Sequence, residues 1–303
     1  MAHLNSKLTI LFLMCFCHLV IADPILKKGV GNFKVQGGEG RENLIIGIDY
    51  YIPENFSVDS PILIVLPGNG RTGGNYRDRW MTSSDKYSTL ILSLTYSKAL
   101  YPKSANYNLA RMVTKKEAVF TKVNDPAEWI FEDFDRIFDL VVASTKSSQL
   151  QYDFFGHSAG AQIGHRLAIF SSQNKVNRIV AANSGWYTVT DFGTPFPYGL
   201  SNSPIEESIM KTKLEASFAK KLIVFLGEKD NAKETKGHLF RDVESDKQGM
   251  HRFERGQYFF RKSKELASQL GYKFNWELQV IPNVGHSSTK MSPIAADFLY
   301  AQP

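Results

Sequence analysis

The sequence predicts an α/β protein, with a mostly parallel central sheet, helices on both faces and a small cap or insertion. Three observations predict it. Short apolar runs rich in β-branched residues alternate with segments of helical periodicity over most of the 303 residues. Several of these runs are apolar at every position, as strands buried on both faces must be. Residues suited to nucleophilic chemistry follow such runs directly, and in open parallel sheets chemistry sits just past the carboxyl ends of the strands.

In chain order, Leu44–Ile52 (LIIGIDYYI) reads as a strand stopped by Pro53. Pro61–Leu66 (PILIVL) and Leu90–Tyr96 (LILSLTY) are two more. Asp125-Pro126-Ala127-Glu128 is a helix opening, with Asp125 as cap, Pro126 in the first turn and Glu128 completing a pattern like a capping box. Trp129, Ile130, Phe134, Ile137, Phe138 and Val141 then recur at helical spacing and mark a core face. Tyr152–Phe155 is a short strand, followed by a helix over about Ala159–Phe170. Arg178–Ala182, Leu222–Leu226 and Phe274–Ile281 complete the strands. Helices are expected from about Gln257 to Leu270 and from Ser292 to Tyr300.

Residues 1–22 are expected to be a signal peptide and residues 23–303 a single catalytic domain. Met1–Lys7 is polar with one positive charge, Leu8–Ala22 is almost continuously apolar, and Val20 and Ala22 are small residues where a signal peptidase reads. The apolar run is shorter than the roughly 20 residues of a spanning helix. The expectation is therefore a secreted protein, periplasmic or extracellular, with no stable membrane insertion after cleavage. Cys15 and Cys17 both lie in that segment, which excludes a disulfide framework or thiolate metal site from the rest. The basic residues behind the net charge of +6 are scattered, and no nucleic-acid motif accompanies them. No metal-binding spacing and no Walker-type phosphate loop appears, so neither cofactor nor metal is expected.

Gly156-His157-Ser158-Ala159-Gly160 fits G-x-S-x-G between a predicted strand and a predicted helix, the setting of a nucleophile elbow. A serine hydroxyl needs a base, and the base an orienting acid. Asp230 follows the strand LIVFL in G-E-K-D, with Glu228 as its competitor. His286 lies between the last strand and the last helix. His157 abuts the serine, His165 falls inside a helix, and His238 and His251 lie in a polar insertion. The order Ser158, Asp230, His286, each past a separate strand, makes these three the expected catalytic set. The backbone N–H of Ala159 is one expected oxyanion donor. The second should come from Pro67-Gly68-Asn69-Gly70-Arg71, with Asn69 preferred.

Six blocks in order, LPGNGRTGGNYRDRW, YDFFGHSAGAQIGHR, AANSGWYTVTDFGTPFPYG, LIVFLGEKD, QGMHRFERGQYFF and VGHSSTKM, carry a resemblance. The chain resembles the bacterial α/β-hydrolases grouped near poly(3-hydroxybutyrate) depolymerases and related esterases, from about Leu44 to Tyr300. The resemblance implies the α/β-hydrolase fold and a serine hydrolase of esters or polyesters with Ser158, Asp230 and His286 as triad. One departure stands out: where such relatives place His-Gly at the oxyanion turn, this chain has Pro67-Gly68.

Substrate contacts are expected from Trp186 and Tyr187, nearest the strand end in an aromatic-rich cap that continues through Phe192, Pro195, Phe196 and Tyr198. Arg252 and Arg255 either grip a substrate carboxylate or pair with Asp242, Glu244 and Asp246. The leading expectation is an esterase or depolymerase-like enzyme acting through an acyl-enzyme on a small-molecule or polymeric ester. An amidase or peptidase, or a non-catalytic binding module on the same fold, are the alternatives.

Overall fold

The computed structural model describes residues 26–116, 119–171 and 174–301. The expected signal peptide lies outside them. The strands are β1 (Gly29–Gln36), β2 (Ile45–Ile52), β3 (Ile62–Leu66), β4 (Leu90–Thr95), β5 (Val113–Lys116), β6 (Val119–Val123), β7 (Tyr152–His157), β8 (Val176–Ala182), β9 (Lys221–Gly227) and β10 (Glu277–Ile281). The helices are α1 (Gly73–Asp78), α2 (Met81–Tyr87), α3 (Phe131–Thr145), α4 (Ala159–Phe170), α5 (Glu207–Ala219), α6 (Val243–Gln248), α7 (Arg252–Leu270) and α8 (Ser288–Tyr300). Eight strands form one sheet in the order β1-β2-β4-β3-β7-β8-β9-β10, and β5 pairs with β6 in a separate hairpin. The pairs from β4 to β10 are parallel; β1 and β2 run antiparallel at one edge.

Strand periodicity divides the core in two. Ile62, Ile64 and Leu66 of β3 join a cluster with residues of α3, α4, α5 and α7. Leu63 and Val65 of the same strand join Tyr76, Trp80, Met291, Ala295 and Leu299 on the opposite face, under α1 and α8. Successive side chains of a strand point to opposite faces, so a strand apolar throughout needs cover on both sides. Trp129, Ile130, Phe134, Ile137, Phe138 and Val141 are all buried, as their spacing predicts.

Three local expectations need correction. Asp125 caps a 3₁₀ turn at Pro126–Glu128, accepting from the Ala127 N–H, and α3 itself begins only at Phe131. Glu128 turns away to pair with Arg111 and completes no capping box. α7 starts at Arg252, five residues before the expected Gln257, because His251 caps it by accepting from the Glu254 N–H. The cap comprises two loop segments, after β8 and after β9, of which the second carries the short α6.

Candidate active site

Ser158 is the single residue between β7 and α4, and its backbone sits at φ 57°, ψ −112°. That conformation is strained for a residue with a Cβ and turns the hydroxyl away from the sheet. Tight packing makes the turn feasible. A Cβ on Gly156 would strike the Gly160 backbone, and one on Gly160 would strike the Leu66 carbonyl. The Ser158 N–H donates to the Ala182 carbonyl at 2.9 Å, tying the turn to β8.

The structure brings the three expected residues together. His286 Nε2 lies 3.1 Å from Ser158 Oγ, and His286 Nδ1 lies 2.8 Å from Asp230 Oδ2. Asp230 is buried, whereas Glu228 faces outward and accepts from the Asn283 N–H at 2.9 Å, far from any such role. Asn183, at the end of β8, joins the two loops: its amide donates to the Gly285 carbonyl and its oxygen accepts from the Gly227 N–H. Glu234 accepts from the His286 N–H. Arg252 Nη1 donates to Asp230 Oδ1 at 3.0 Å, and Nη2 to the Gly237 carbonyl at 3.2 Å. Arg255 instead meets Asp246 at 2.9 Å, so only one of the two arginines takes its partner from Asp242, Glu244 and Asp246.

The other histidines have distinct places. His157 is buried with its ring 4.8 Å from that of His286, and its Nδ1 bonds the Tyr76 hydroxyl at 3.1 Å. Burial, reinforced by the neighbouring His286, pushes its pKa well below the usual imidazole range and keeps it neutral. His165 is fully enclosed, bonding the Ala161 carbonyl and accepting from the Thr188 N–H. His238 is exposed at the cleft.

The Pro67-Gly68 turn is braced by Tyr107 and Arg71. The Tyr107 hydroxyl donates to the Pro67 carbonyl at 2.6 Å. The buried Arg71 guanidinium donates to the Tyr96 and Tyr101 carbonyls at 2.9 Å and stacks 3.9 Å from the Tyr107 ring centroid. Gly68 packs so closely that a Cβ would lie 3.3 Å from Ser158 Cβ. Asn69 is exposed at the cleft beside Ser158, and Ala159 is buried at the first position of α4, where a helix N–H has no intrahelical partner.

The cleft runs to both sides of Ser158. One hollow of about 580 Å³ is lined by Arg71, Lys98, Lys103, Gln162, Trp186 and Tyr198, among others. A second, of about 390 Å³, includes Tyr76, Arg79, His157 and His286. Trp186 lines the larger hollow, with Arg166 Cζ 4.5 Å from its ring centroid. Tyr187 does not line either hollow. It is fully buried, stacked on Phe259 at 4.6 Å, with its backbone N–H and carbonyl both held by the Gln248 amide. The two side chains therefore point different ways, Trp186 to the cleft and Tyr187 into the core against His165 and Phe259. Arg166 is also buried; it donates to Thr188 Oγ1 and to the carbonyls of Asn108 and Gln162. Burial pushes its pKa down to about 9.

Sequence reasoning missed Arg252 as the partner of Asp230, and Asn183, Tyr107 and Arg71 as braces. The HRFERG block drew attention to Arg252, but its partner lies 22 residues away. Among the described residues, no group of three or more His, Cys, Asp or Glu is placed to hold a metal ion. No helix among them is long and apolar enough to cross a membrane.

No protein-family profile and no curated protein sequence matches the chain. Solved structures do. Poly(aspartic acid) hydrolase-1 of Sphingomonas sp. KT-1 superposes with a TM-score of 0.82 at 33% identity, over 91% of this chain and 100% of that one. The poly(3-hydroxybutyrate) depolymerase LpqC of Bordetella parapertussis gives 0.81 at 27% identity, over 91% of each chain. The siderophore hydrolase EstA of Aspergillus nidulans shares the fold at 13% identity, with a TM-score of 0.54 over 90% of this chain and 95% of that one. With the parallel sheet, the strand order and these relatives together, the chain belongs to the α/β-hydrolase family near poly(3-hydroxybutyrate) depolymerases and related esterases.

Proposed function

We propose that this hydrolase cleaves carboxylic ester bonds through an acyl-enzyme formed on Ser158. The observation that carries the reading is the relay from Ser158 Oγ to His286 Nε2 at 3.1 Å and from His286 Nδ1 to Asp230 Oδ2 at 2.8 Å. His286 takes the hydroxyl proton as Ser158 attacks the carbonyl carbon, and Asp230 holds the imidazole and stabilises its charged form. The N–H groups of Ala159 and Asn69 receive the developing oxyanion. As the tetrahedral species collapses, His286 returns the proton to the departing alkoxide. Water, activated by the same imidazole, then releases the acid and restores the serine.

An active-site fluorophosphonate should label the protein and fail to label Ser158→Ala. Equal labelling of both would refute the assignment, and turnover of a short p-nitrophenyl ester by His286→Ala at the unmutated rate would refute the base. A second reading keeps the triad and replaces the ester by an amide. It draws support from the relative named as a poly(aspartic acid) hydrolase, because that polymer is joined by amide links. Matched ester and amide substrates separate the two readings. Export, with residues 1–22 removed, belongs to the same proposal; the mass of the exported protein should begin at Asp23.

A further inference from the structure

The larger hollow beside Ser158 carries positive charge that the described residues do not balance. Arg71 lines it and is 5% exposed; Arg166, 0% exposed, is not part of the lining and lies against Trp186, which is, and neither arginine meets a carboxylate among the described residues. Both hold one stretch of chain: Arg71 donates to the carbonyls of Tyr96, Tyr101 and Lys103, and Arg166 to that of Asn108. Bracing carbonyls explains where these side chains sit but does not call for charge, since a neutral amide also donates N–H bonds. Burying an uncompensated charge is costly, and burial lowers the pKa of both groups. Each also keeps buried N–H capacity without a partner, at Arg71 Nε and Arg166 Nη2. Lys98 and Lys103 add exposed ammonium groups to the lining. Among the described residues, the lining holds one carboxylate, Asp242, which already accepts from the Tyr198 hydroxyl and the Ser245 N–H.

We propose that this hollow recognises a carboxylate carried by the substrate, so that the natural substrate is an anionic ester or amide. The inference rests on the serine-hydrolase reading of Ser158 and adds the chemistry of the group beside the scissile bond. A carboxylate there supplies the counter-charge that Arg71 lacks, and the exposed Lys98 and Lys103 attract it to the same hollow. The neighbouring Arg252 does not serve, because its charge is committed to Asp230.

The test uses four esters, combining butyrate or succinate as acyl group with phenol or 4-hydroxybenzoate as alcohol. Each change adds one carboxylate to one side of the same bond. The expected result is a kcat/KM at least about tenfold higher for one or both charged sides than for the neutral ester, the scale of one charge-assisted bond. That preference should shrink as salt is raised, and shrink again in Arg71→Gln and in the surface double variant Lys98→Gln/Lys103→Gln. The salt series on the unmutated protein keeps the proposal testable if Arg71→Gln does not fold. Equal turnover of neutral and charged esters, abolished in Ser158→Ala, would overturn the carboxylate proposal alone. Turnover that survives Ser158→Ala would overturn the serine reading and this proposal with it.

Discussion

Arg252→Gln probes the group that sequence reasoning did not connect to Asp230. The Arg252 and Asp230 side chains are 4% and 1% exposed, and their charged atoms lie 3.0 Å apart. Asp230 uses its other oxygen for His286. Removing the guanidinium leaves a buried carboxylate with the imidazole as its remaining side-chain partner. Breaking a buried pair in this way costs about 3–5 kcal/mol. Activity should fall too, since a shift of about 1 Å in a catalytic group can cost on the order of a hundredfold. The informative experiment is a double-mutant cycle with Asp230→Asn, followed by urea unfolding and by kcat/KM on a short p-nitrophenyl ester. Asp230→Asn alone leaves an unpaired buried guanidinium, whereas the double variant removes both charges. The two stability losses should therefore fail to add, with a coupling of about 2 kcal/mol or more. An Arg252→Gln protein of unchanged stability, or losses that sum to within about 0.5 kcal/mol, would refute the reasoning. A rise in KM alone would mean that Arg252 serves the substrate and not Asp230.

Three further outcomes follow from single positions. Ser158→Gly should be more stable than Ser158→Ala by about 1 kcal/mol, reversing the usual order, because φ 57°, ψ −112° suits glycine and strains alanine; thermal unfolding of the two variants decides it. Tyr107→Phe removes the 2.6 Å bond to the Pro67 carbonyl and loosens the turn that carries Asn69. It should lose about 1–3 kcal/mol of stability and lower kcat far more than it raises KM; an unchanged kcat would show that Pro67-Gly68 needs no brace. Burial, with Lys213 adding repulsion, pushes the pKa of Lys220 down to about 8. The unfolded chain holds that proton up to about pH 10, so between these values it binds more protons than the folded chain, and the Lys220 contribution to stability rises with pH. Compared with Lys220→Met, the unmutated protein should gain urea midpoint from pH 8 to about 10; a constant gap contradicts the burial of that ammonium.

What was legible in the sequence is what repeats or what sits at an element boundary. The strands PILIVL and LIVFL declare themselves because burial on both faces demands apolar side chains at every position. β1 does not, because an edge strand with one half-exposed face needs few of them, and GVGNFKVQ carries three glycine or polar residues among its first four. α5 escaped for a related reason: in ESIMKTKLEASFA only Met210, Leu214, Ser217 and Phe218 are buried, too narrow a stripe to stand out. Asp230 was distinguishable from Glu228 only as a preference in the sequence. The distinction is made by the turn after β9, where the Asp230 N–H bonds the Gly227 carbonyl and brings that side chain inward.

The same contrast explains why the three relay residues could be read and their supports could not. A nucleophile, an acid and a base must each stand past a strand end, so their chain order follows from the fold, whatever packs around them. Supports obey no such rule. Tyr107, Arg71, Asn183 and Arg252 act through bonds to backbone carbonyls, backbone N–H groups or a buried carboxylate in segments remote in sequence, and any donor of the right reach could fill each role. The Pro67 turn shows this directly. The histidine that the resemblance leads one to expect here is absent, yet a tyrosine 40 residues away supplies a hydrogen bond to the same turn. A missing support residue in the sequence is therefore weak evidence against a catalytic site, whereas a missing relay residue would be strong evidence. The unbalanced charge of Arg71 extends the point: carbonyl bracing alone explains its position, and the substrate carboxylate proposed above would account for its charge.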